Sequence, residues 1–311
     1  MGNKLIIVAG PTAVGKSSAG IEIAKIFNGE IISADSAQVY KEMNIGTAKL
    51  KETEMHGIKH HMIDIIYPDE EFSVSKYKSR VDVIIDDIFS RNKTPIIVGG
   101  TGLYINSILN EMEFTVSSGD NDFRNKMQEL VNEKGNEFIY NKLIDVDPHA
   151  ATKLHPNDTR RVIRALEVFE LTGEKISNFQ ENSKNKPDRY EHIYTAITDD
   201  RAILYDRINA RVDKMLEDGL ITEVNDLLNK GYDEKLVSLQ AIGYKEIVDY
   251  IKGRLTYDNA IELLKQSSRR YAKRQLTWFR RDERIKWFDN KSYTSFFKLI
   301  ENMCSYVAEN I

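Results

Sequence analysis

Gly10-Pro11-Thr12-Ala13-Val14-Gly15-Lys16-Ser17 matches the phosphate-binding pattern G-x-x-x-x-G-K-[ST] at every specified position, and its flanks decide the fold. Upstream, Leu5, Ile6, Ile7, Val8 and Ala9 form a short apolar, β-rich run of the kind a buried parallel strand requires. Downstream, Ile21, Ile23, Ala24 and Phe27 recur at roughly helical spacing. Strand, glycine loop and helix in that order aim successive backbone N–H groups at one point in front of a helix N-terminus, where an anion is favoured. Gly10 and Gly15 permit the close approach that a Cβ obstructs, Lys16 adds a point charge, and Ser17 offers a hydroxyl to Mg²⁺. The loop therefore predicts a polyphosphate ligand. It does not specify ATP, because any ligand with adjacent phosphates and Mg²⁺ satisfies it.

Working outward, strand-like runs recur at Ile31–Ile32, Pro95–Val98 and Ile193–Ile197, separated by segments of helical period. That alternation predicts an α/β core of the P-loop NTPase type, a parallel sheet flanked by helices. Between Ser73 and Ser90 apolar residues recur at threes and fours, so Val83-Ile84-Ile85-Asp86, which superficially resembles a Walker B strand, reads as part of a helix. From Asp120 to Pro187 the chain is polar and predominantly helical, with periodic stretches at Asp122–Lys134 and Asp158–Thr172, and Asn182–Pro187 reads as an exposed loop. The expected organisation is a core made of residues 1–115 and 190–311 with a mainly helical insertion at 116–189. Everything after Asp200 reads as helices, among them Tyr257–Arg281 with Tyr257, Ile261, Leu264, Ser268, Tyr271, Gln275 and Trp278 along one face.

The composition, 311 residues with 41% hydrophobic and 30% charged, is that of a globular protein. A single cysteine, Cys304, excludes an internal disulfide framework and any multi-cysteine zinc site. No apolar run approaches the length of a membrane span and no leader-like segment opens the chain, so a cytoplasmic protein, acting as a monomer, is the expectation. The net charge of −4 hides a segregation: Arg269 to Lys286 carries +6, leaving −10 for the remainder. In that segment cations alternate with aromatics, through Arg269, Arg270, Tyr271, Lys273, Arg274, Trp278, Phe279, Arg280 and Arg281, a pattern suited to phosphate contact and base stacking. A second basic knot, Arg160, Arg161 and Arg164, lies in the insertion.

Two further motifs follow predicted strands, where ligands of open α/β sheets bind. Ser33-Ala34-Asp35-Ser36-Ala37-Gln38-Val39-Tyr40 places Asp35 on the crevice that Lys16 faces, as a Mg²⁺ ligand through water, a helix cap or a general base. Gly99-Gly100-Thr101-Gly102-Leu103-Tyr104 is a second glycine-rich turn, either a ligand contact or a tight strand-to-helix connection. His56, His60 and His61 cluster in a predicted loop near Asp64; zinc spacing is lacking, and a role in folding or substrate contact is the better reading.

Taken in order, GPTAVGKS, DSAQVY, GGTGLY, HPNDTRRVIRALEV, QAIGYKEI and YAKRQLTWFRR resemble the tRNA dimethylallyltransferase family over nearly the whole chain. The resemblance implies transfer of the dimethylallyl group of dimethylallyl diphosphate to N6 of adenosine 37 in tRNAs reading codons that begin with U. It implies that Gly10 to Ser17 hold the donor diphosphate, with Mg²⁺ as cofactor on Ser17. Asp35 matches the family's general base, Thr101 the threonine lining the reaction channel, and Arg211 the active-site arginine. Contacts to tRNA are implied for Asp35, Ser36, Ala37, Gln38 and Thr101. Others fall to the basic residues Arg124, Arg160, Arg161 and Arg164. A third group comprises Gln240, Ala241, Ile242, Gly243, Tyr244 and Lys245, and a fourth Lys273, Arg274, Gln275, Trp278 and Arg280. The cysteine count leaves no place for the zinc finger of eukaryotic relatives, which implies a bacterial-type enzyme.

Three rivals share parts of this pattern. A P-loop small-molecule kinase explains Gly10 to Ser17 but neither the length nor the basic segment. A prenyltransferase acting on free AMP or ADP shares the front half and needs no RNA surface. A nucleotide-switched RNA-binding protein without covalent chemistry is the third, and the lack of a convincing Walker B strand counts against it.

Overall fold

Five consecutive buried side chains make β1 (Leu5–Ala9) an interior strand covered on both faces, as its unbroken apolar run requires. The computed structural model describes residues 4–110, 120–184 and 186–311. After β1 come α1 (Lys16–Ile26), β2 (Gly29–Ala34), β3 (His60–His61), α2 (Val74–Ser90), β4 (Thr94–Gly99) and α3 (Gly102–Leu109). Next are α4 (Asn121–Lys134), α5 (Asn136–Val146), α6 (Pro148–Ala151), α7 (Thr159–Thr172) and α8 (Ile176–Lys184). The chain then forms β5 (His192–Thr198), α9 (Arg201–Glu217), α10 (Leu220–Asn229), α11 (Tyr244–Ile251), α12 (Tyr257–Phe279), β6 (Lys286–Asp289) and α13 (Phe296–Asn310). The strands form one parallel sheet in the order β3-β2-β4-β1-β5-β6.

The described residues divide into two compact units, one within 1–106 and 190–311 and the other within 107–189. In the first, one apolar cluster joins the sheet to α1 and α13 through Ile6, Val8, Ile23, Val98, Leu299 and Met303. A second joins Val39 and Met43 to α10, α11 and α12 through Val224, Tyr244, Ile247 and Leu264. The unit within 107–189 has its own core, in which Ile139 and Leu143 of α5 meet Val162 and Leu166 of α7.

Val83 to Asp86 lie inside α2, whose buried residues Tyr77, Val81, Ile85 and Ile88 keep the helical period, so no Walker B strand exists there. Three expectations are corrected. Lys286–Asp289, read as helical, is β6, which extends the sheet beside β5. Its four residues carry two charges and are too few to show an alternating period, so only the neighbouring strand reveals them. His60 and His61, read as loop, pair in parallel with Ile31 and Ile32 of β2. Asn182, assigned to an exposed loop, belongs to α8, which runs to Lys184; Asn185 of that stretch lies outside the described residues. Its polar composition reflects a solvated helix end rather than a break.

Candidate active site

Ala9 of β1 and Ala34 of β2 both register with Gly99 of β4, so the segments after these three strands leave the sheet at one edge. With neighbouring strands about 4.8 Å apart, the turn at Gly99–Tyr104 stands between the phosphate loop and the Asp35 segment, each roughly one strand spacing away. Contiguous sequence thus produces three motifs, and the parallel register brings them together.

Gly15 precedes α1 with φ 98° and no side-chain cap, which leaves the first N–H groups of α1 for an anion. A Cβ on Gly15 would lie 2.4 Å from the Phe296 ring, so α13 supports the loop through a contact only glycine allows. Lys16 turns its amine inward and donates to Pro11 O at 2.5 Å. Its pKa falls to about 7, lowered by burial first and by the charge of Arg211 second, with Asp35 opposing both. Burial lowers Arg211 as well, again opposed by Asp35. Arg211 Nη1 lies 3.5 Å from Thr12 Oγ1. Two desolvated cations beside one carboxylate form a site whose electrostatics improve when a polyanion arrives.

Asp35 accepts the Ala37 N–H on Oδ1 at 2.9 Å, closing a tight turn. No helix follows it directly, which removes helix capping from its possible roles. Thr101 accepts the Ser36 N–H on Oγ1 at 3.2 Å and donates its own N–H to Ala34 O at 3.0 Å, so it ties the two turns together. From α12, the Tyr271 phenol meets the side chains of Thr101 and Gln275, and burial raises its pKa to about 12.

Of these groups, Thr12, Asp35, Ser36, Arg211 and Tyr271 border a cavity of about 310 Å³. Its lining is mixed: Thr12, Asp35, Arg211 and Arg274 are polar or charged, and Ile208, Val212, Met215, Ile242 and Leu264 are apolar. Ser36, Ala37, Gln240, Ala241 and Gly243, expected as RNA contacts, also line it. Sequence reading missed the apolar lining, since α9 and α12 carry ordinary amphipathic patterns. It also missed Glu223 of α10. That carboxylate accepts the N–H groups of Asn44, Ile45 and Gly46 at 2.9, 2.8 and 3.2 Å and the Tyr244 hydroxyl at 2.7 Å, holding the segment that supplies Gly46 and Thr47 to the cavity. Nothing in the local sequence marks it, because its partners lie up to 179 positions away.

Other expected residues are placed as follows. Tyr244 is fully buried with its hydroxyl on Glu223, and Lys245 is exposed on α11. Gln38 donates to Thr47 O at 3.3 Å and accepts from Ser33 at 3.1 Å. Lys273, Arg274, Trp278 and Arg280 are exposed on or just after α12, whereas Gln275 is buried and bonded to the loops. Ser17 is exposed in the first turn of α1. In the unit within 107–189, Arg124 and Arg164 converge on the fully buried Glu167 at 2.8 and 2.6 Å, while Arg160 and Arg161 are exposed. His61 bonds Glu30 at 2.8 Å and His60 meets Ile58 O at 2.8 Å, which gives both rings structural partners.

Residues 38–282 match the family model described as IPP transferase. The tRNA dimethylallyltransferase of Thermoanaerobacter sp. (strain X514) is 52% identical over 310 residues, covering 99% of this chain and 98% of the relative. That of Carboxydothermus hydrogenoformans is 54% identical over 290 residues, covering 93% of each. Among solved structures, the full-length tRNA isopentenylpyrophosphate transferase of Bacillus halodurans superposes with TM-score 0.74 at 43% identity, covering 99% of this chain and 96% of its own. A eukaryotic dimethylallyltransferase described as acting on tRNA superposes with TM-score 0.79 at 32% identity, covering 98% of this chain and 77% of its own.

Proposed function

The chain belongs to the IPP transferase family, and on that premise we propose that it transfers the dimethylallyl group from dimethylallyl diphosphate to N6 of adenosine 37 in tRNAs reading codons that begin with U. The observation that carries the reading is the cavity itself, whose lining combines the carboxylate of Asp35 and the cations Arg211 and Arg274 with the apolar side chains Ile208, Val212, Met215, Ile242 and Leu264. A five-carbon prenyl chain attached to a diphosphate combines the same two characters.

The N6 amine is a poor nucleophile, because its lone pair is delocalised into the ring. Allylic C1, by contrast, develops positive charge readily as its bond to diphosphate weakens. The transfer forms N6–C1, breaks C1–O and releases diphosphate, and one amine proton must leave. Backbone N–H groups of Ala13 to Ser17, with Lys16 and Arg211, stabilise charge on the leaving diphosphate. Asp35, anchored through Oδ1 by the Ala37 N–H, retains a second oxygen to take the amine proton, and Thr101 beside it orients the amine. Ile208, Val212 and Met215 of α9 enclose the prenyl chain and exclude water from the developing cation.

A divalent ion fits the loop: Ser17 is exposed at the start of α1, and Mg²⁺ takes most of its shell from phosphate and water, so one protein hydroxyl suits it. When bound, Mg²⁺ would add positive charge against the diphosphate. For base 37 to enter the cavity it must leave its stack, which costs a few kcal/mol. Phosphate contacts from Lys273, Arg274 and Arg280 and stacking on Trp278 offset that cost.

The test is incubation of the purified protein and Mg²⁺ with labelled dimethylallyl diphosphate and, in separate reactions, unmodified tRNA, tRNA with position 37 changed from A, and free AMP. Label confined to A37-containing tRNA is the expected result. Label on AMP would move the chain to the free-nucleotide branch, and no transfer at all would defeat the proposal.

A further inference from the structure

Gln275 lies in the middle of a basic helix but does not face solvent. Its side chain is 6% exposed. Its Oε1 accepts the Thr12 N–H at 2.9 Å and its Nε2 donates to Gly100 O at 3.0 Å. The orientation of the amide is fixed by chemistry, since an N–H needs an acceptor and a carbonyl needs a donor. A single side chain therefore spans from the phosphate loop to the glycine turn that carries Thr101. Gly100 accommodates it: a Cβ there would stand 2.1 Å from the Gln275 nitrogen.

The neighbours of Gln275 extend the same contact line. Tyr271, one turn earlier on α12, bonds Thr101, and Trp278, one turn later, covers Gly102 so closely that a Cβ there would lie 2.2 Å from the indole. Thr12, oriented through its backbone by Gln275, is the residue whose hydroxyl meets Arg211. The glutamine is thus one residue removed from the groups that hold the donor on one side and, through Gly100, one residue from Thr101 on the other.

We propose that Gln275 is a positioning residue for prenyl transfer, its amide holding the phosphate loop and the Gly100–Thr101 turn in mutual register so that donor C1 and acceptor amine meet. The role rests on the transfer reaction proposed above. Gln275 itself touches neither substrate; it fixes the separation of the two segments that do. Reaction rates are steep in that separation, a misplacement of about 1 Å costing on the order of 100-fold.

The experiment compares wild-type protein with Gln275→Met, which keeps the length and removes both hydrogen bonds, and with Gln275→Glu. Single-turnover rate at saturating tRNA, donor KM, tRNA Kd, affinity for inorganic diphosphate and melting temperature are measured. For Gln275→Met the expected result is a rate lowered by about 10- to 100-fold and weaker diphosphate binding, with tRNA Kd within about twofold of wild type. Protonated Glu can again donate to Gly100 O while accepting from Thr12. The rate of Gln275→Glu relative to wild type should therefore rise as pH falls, a recovery that Gln275→Met cannot show. Wild-type rate and diphosphate affinity in Gln275→Met would overturn the proposal, and so would a defect confined to tRNA Kd. Should Gln275→Met fail to melt cooperatively, a pH-independent ratio for Gln275→Glu overturns it instead. Wild-type protein that transfers no prenyl group would defeat the proposed reaction alone, and diphosphate affinity would then decide the role of Gln275.

Discussion

Lys16 enters the reaction partly deprotonated. With its pKa lowered to about 7 by burial and by Arg211, the free protein at pH 8 holds this amine mostly neutral, and an arriving diphosphate pulls the pKa back up. Donor binding at pH 8 should take up close to one proton, and at pH 6 very little. Calorimetry in buffers of different ionisation enthalpy reads this directly, and proton uptake that does not grow with pH would contradict it. In the proposed reaction Asp35 has two separable tasks, accepting the Ala37 N–H and taking the amine proton. Asp35→Asn keeps an oxygen for the first and cannot perform the second, so kcat should fall by about 10²- to 10⁴-fold while tRNA affinity is retained. An Asn variant with most of the wild-type rate would remove Asp35 as the base.

Among the elements, α12 divides its labour by face. Tyr271 and Gln275 turn to the loops that follow β1 and β4, whereas Arg270, Lys273, Arg274 and Thr277 are exposed, with Arg280 and Arg281 just beyond the helix. Neutralising Lys273, Arg274 and Arg280 together should raise the tRNA KM and flatten the salt dependence of binding, by about 0.9 in log-log slope for each phosphate left without its cation. An unaltered slope would place the phosphates elsewhere. At the start of β2, Glu30 is 2% exposed and receives Arg91, Lys93 and His61. Arg91 chiefly, helped by Lys93 and His61 and opposed by burial, holds the carboxyl far below the usual range. Its stabilisation is therefore present above the unfolded carboxylate pKa and is lost as pH falls toward the folded one. Glu30→Gln should cost about 1.5–3 kcal/mol at pH 7, the lower end being favoured because Arg91 and Lys93 are partly solvated. In urea titrations the gap from wild type should narrow below about pH 4.

These elements also show what a sequence can disclose. β1, the phosphate loop and α1 were legible because their chemistry is contiguous: a buried strand, a glycine loop and a helix within 22 residues. Asp35 and Thr101 were legible as motifs after strands, while their hydrogen-bonded connection through Ser36 required the sheet register. Glu223 and the α9 lining were not, since a carboxylate or a Met on an amphipathic helix carries no sign of what it will face. Gln275 falls on the face of α12 that Leu264 and Tyr271 share, but nothing local marks Thr12 and Gly100 as its partners.

At the scale of the whole molecule, each of the two compact units into which the described residues divide has core residues of its own. The phosphate loop belongs to the unit within 1–106 and 190–311. Donor at about 100 times its Kd should therefore add roughly 2.7 kcal/mol to the exchange protection of that unit's slowest amides and leave α5 and α7 unaffected. Leu143→Ala, in the other core, should lower protection of α5 and α7 by about 2–5 kcal/mol. Hydrogen exchange resolved by segment tests both, and uniform changes along the chain would show a single cooperative unit instead. The brace from Gln275 to Thr12 spans 263 positions, and the Phe296 ring under Gly15 comes from still further along. The phosphate loop thus leaves the ribosome well before both of the segments that support it. A nascent chain arrested before α12 would display the full motif without its supports. A growing chain gains these two supports of its phosphate loop only once α12 and α13 have been made.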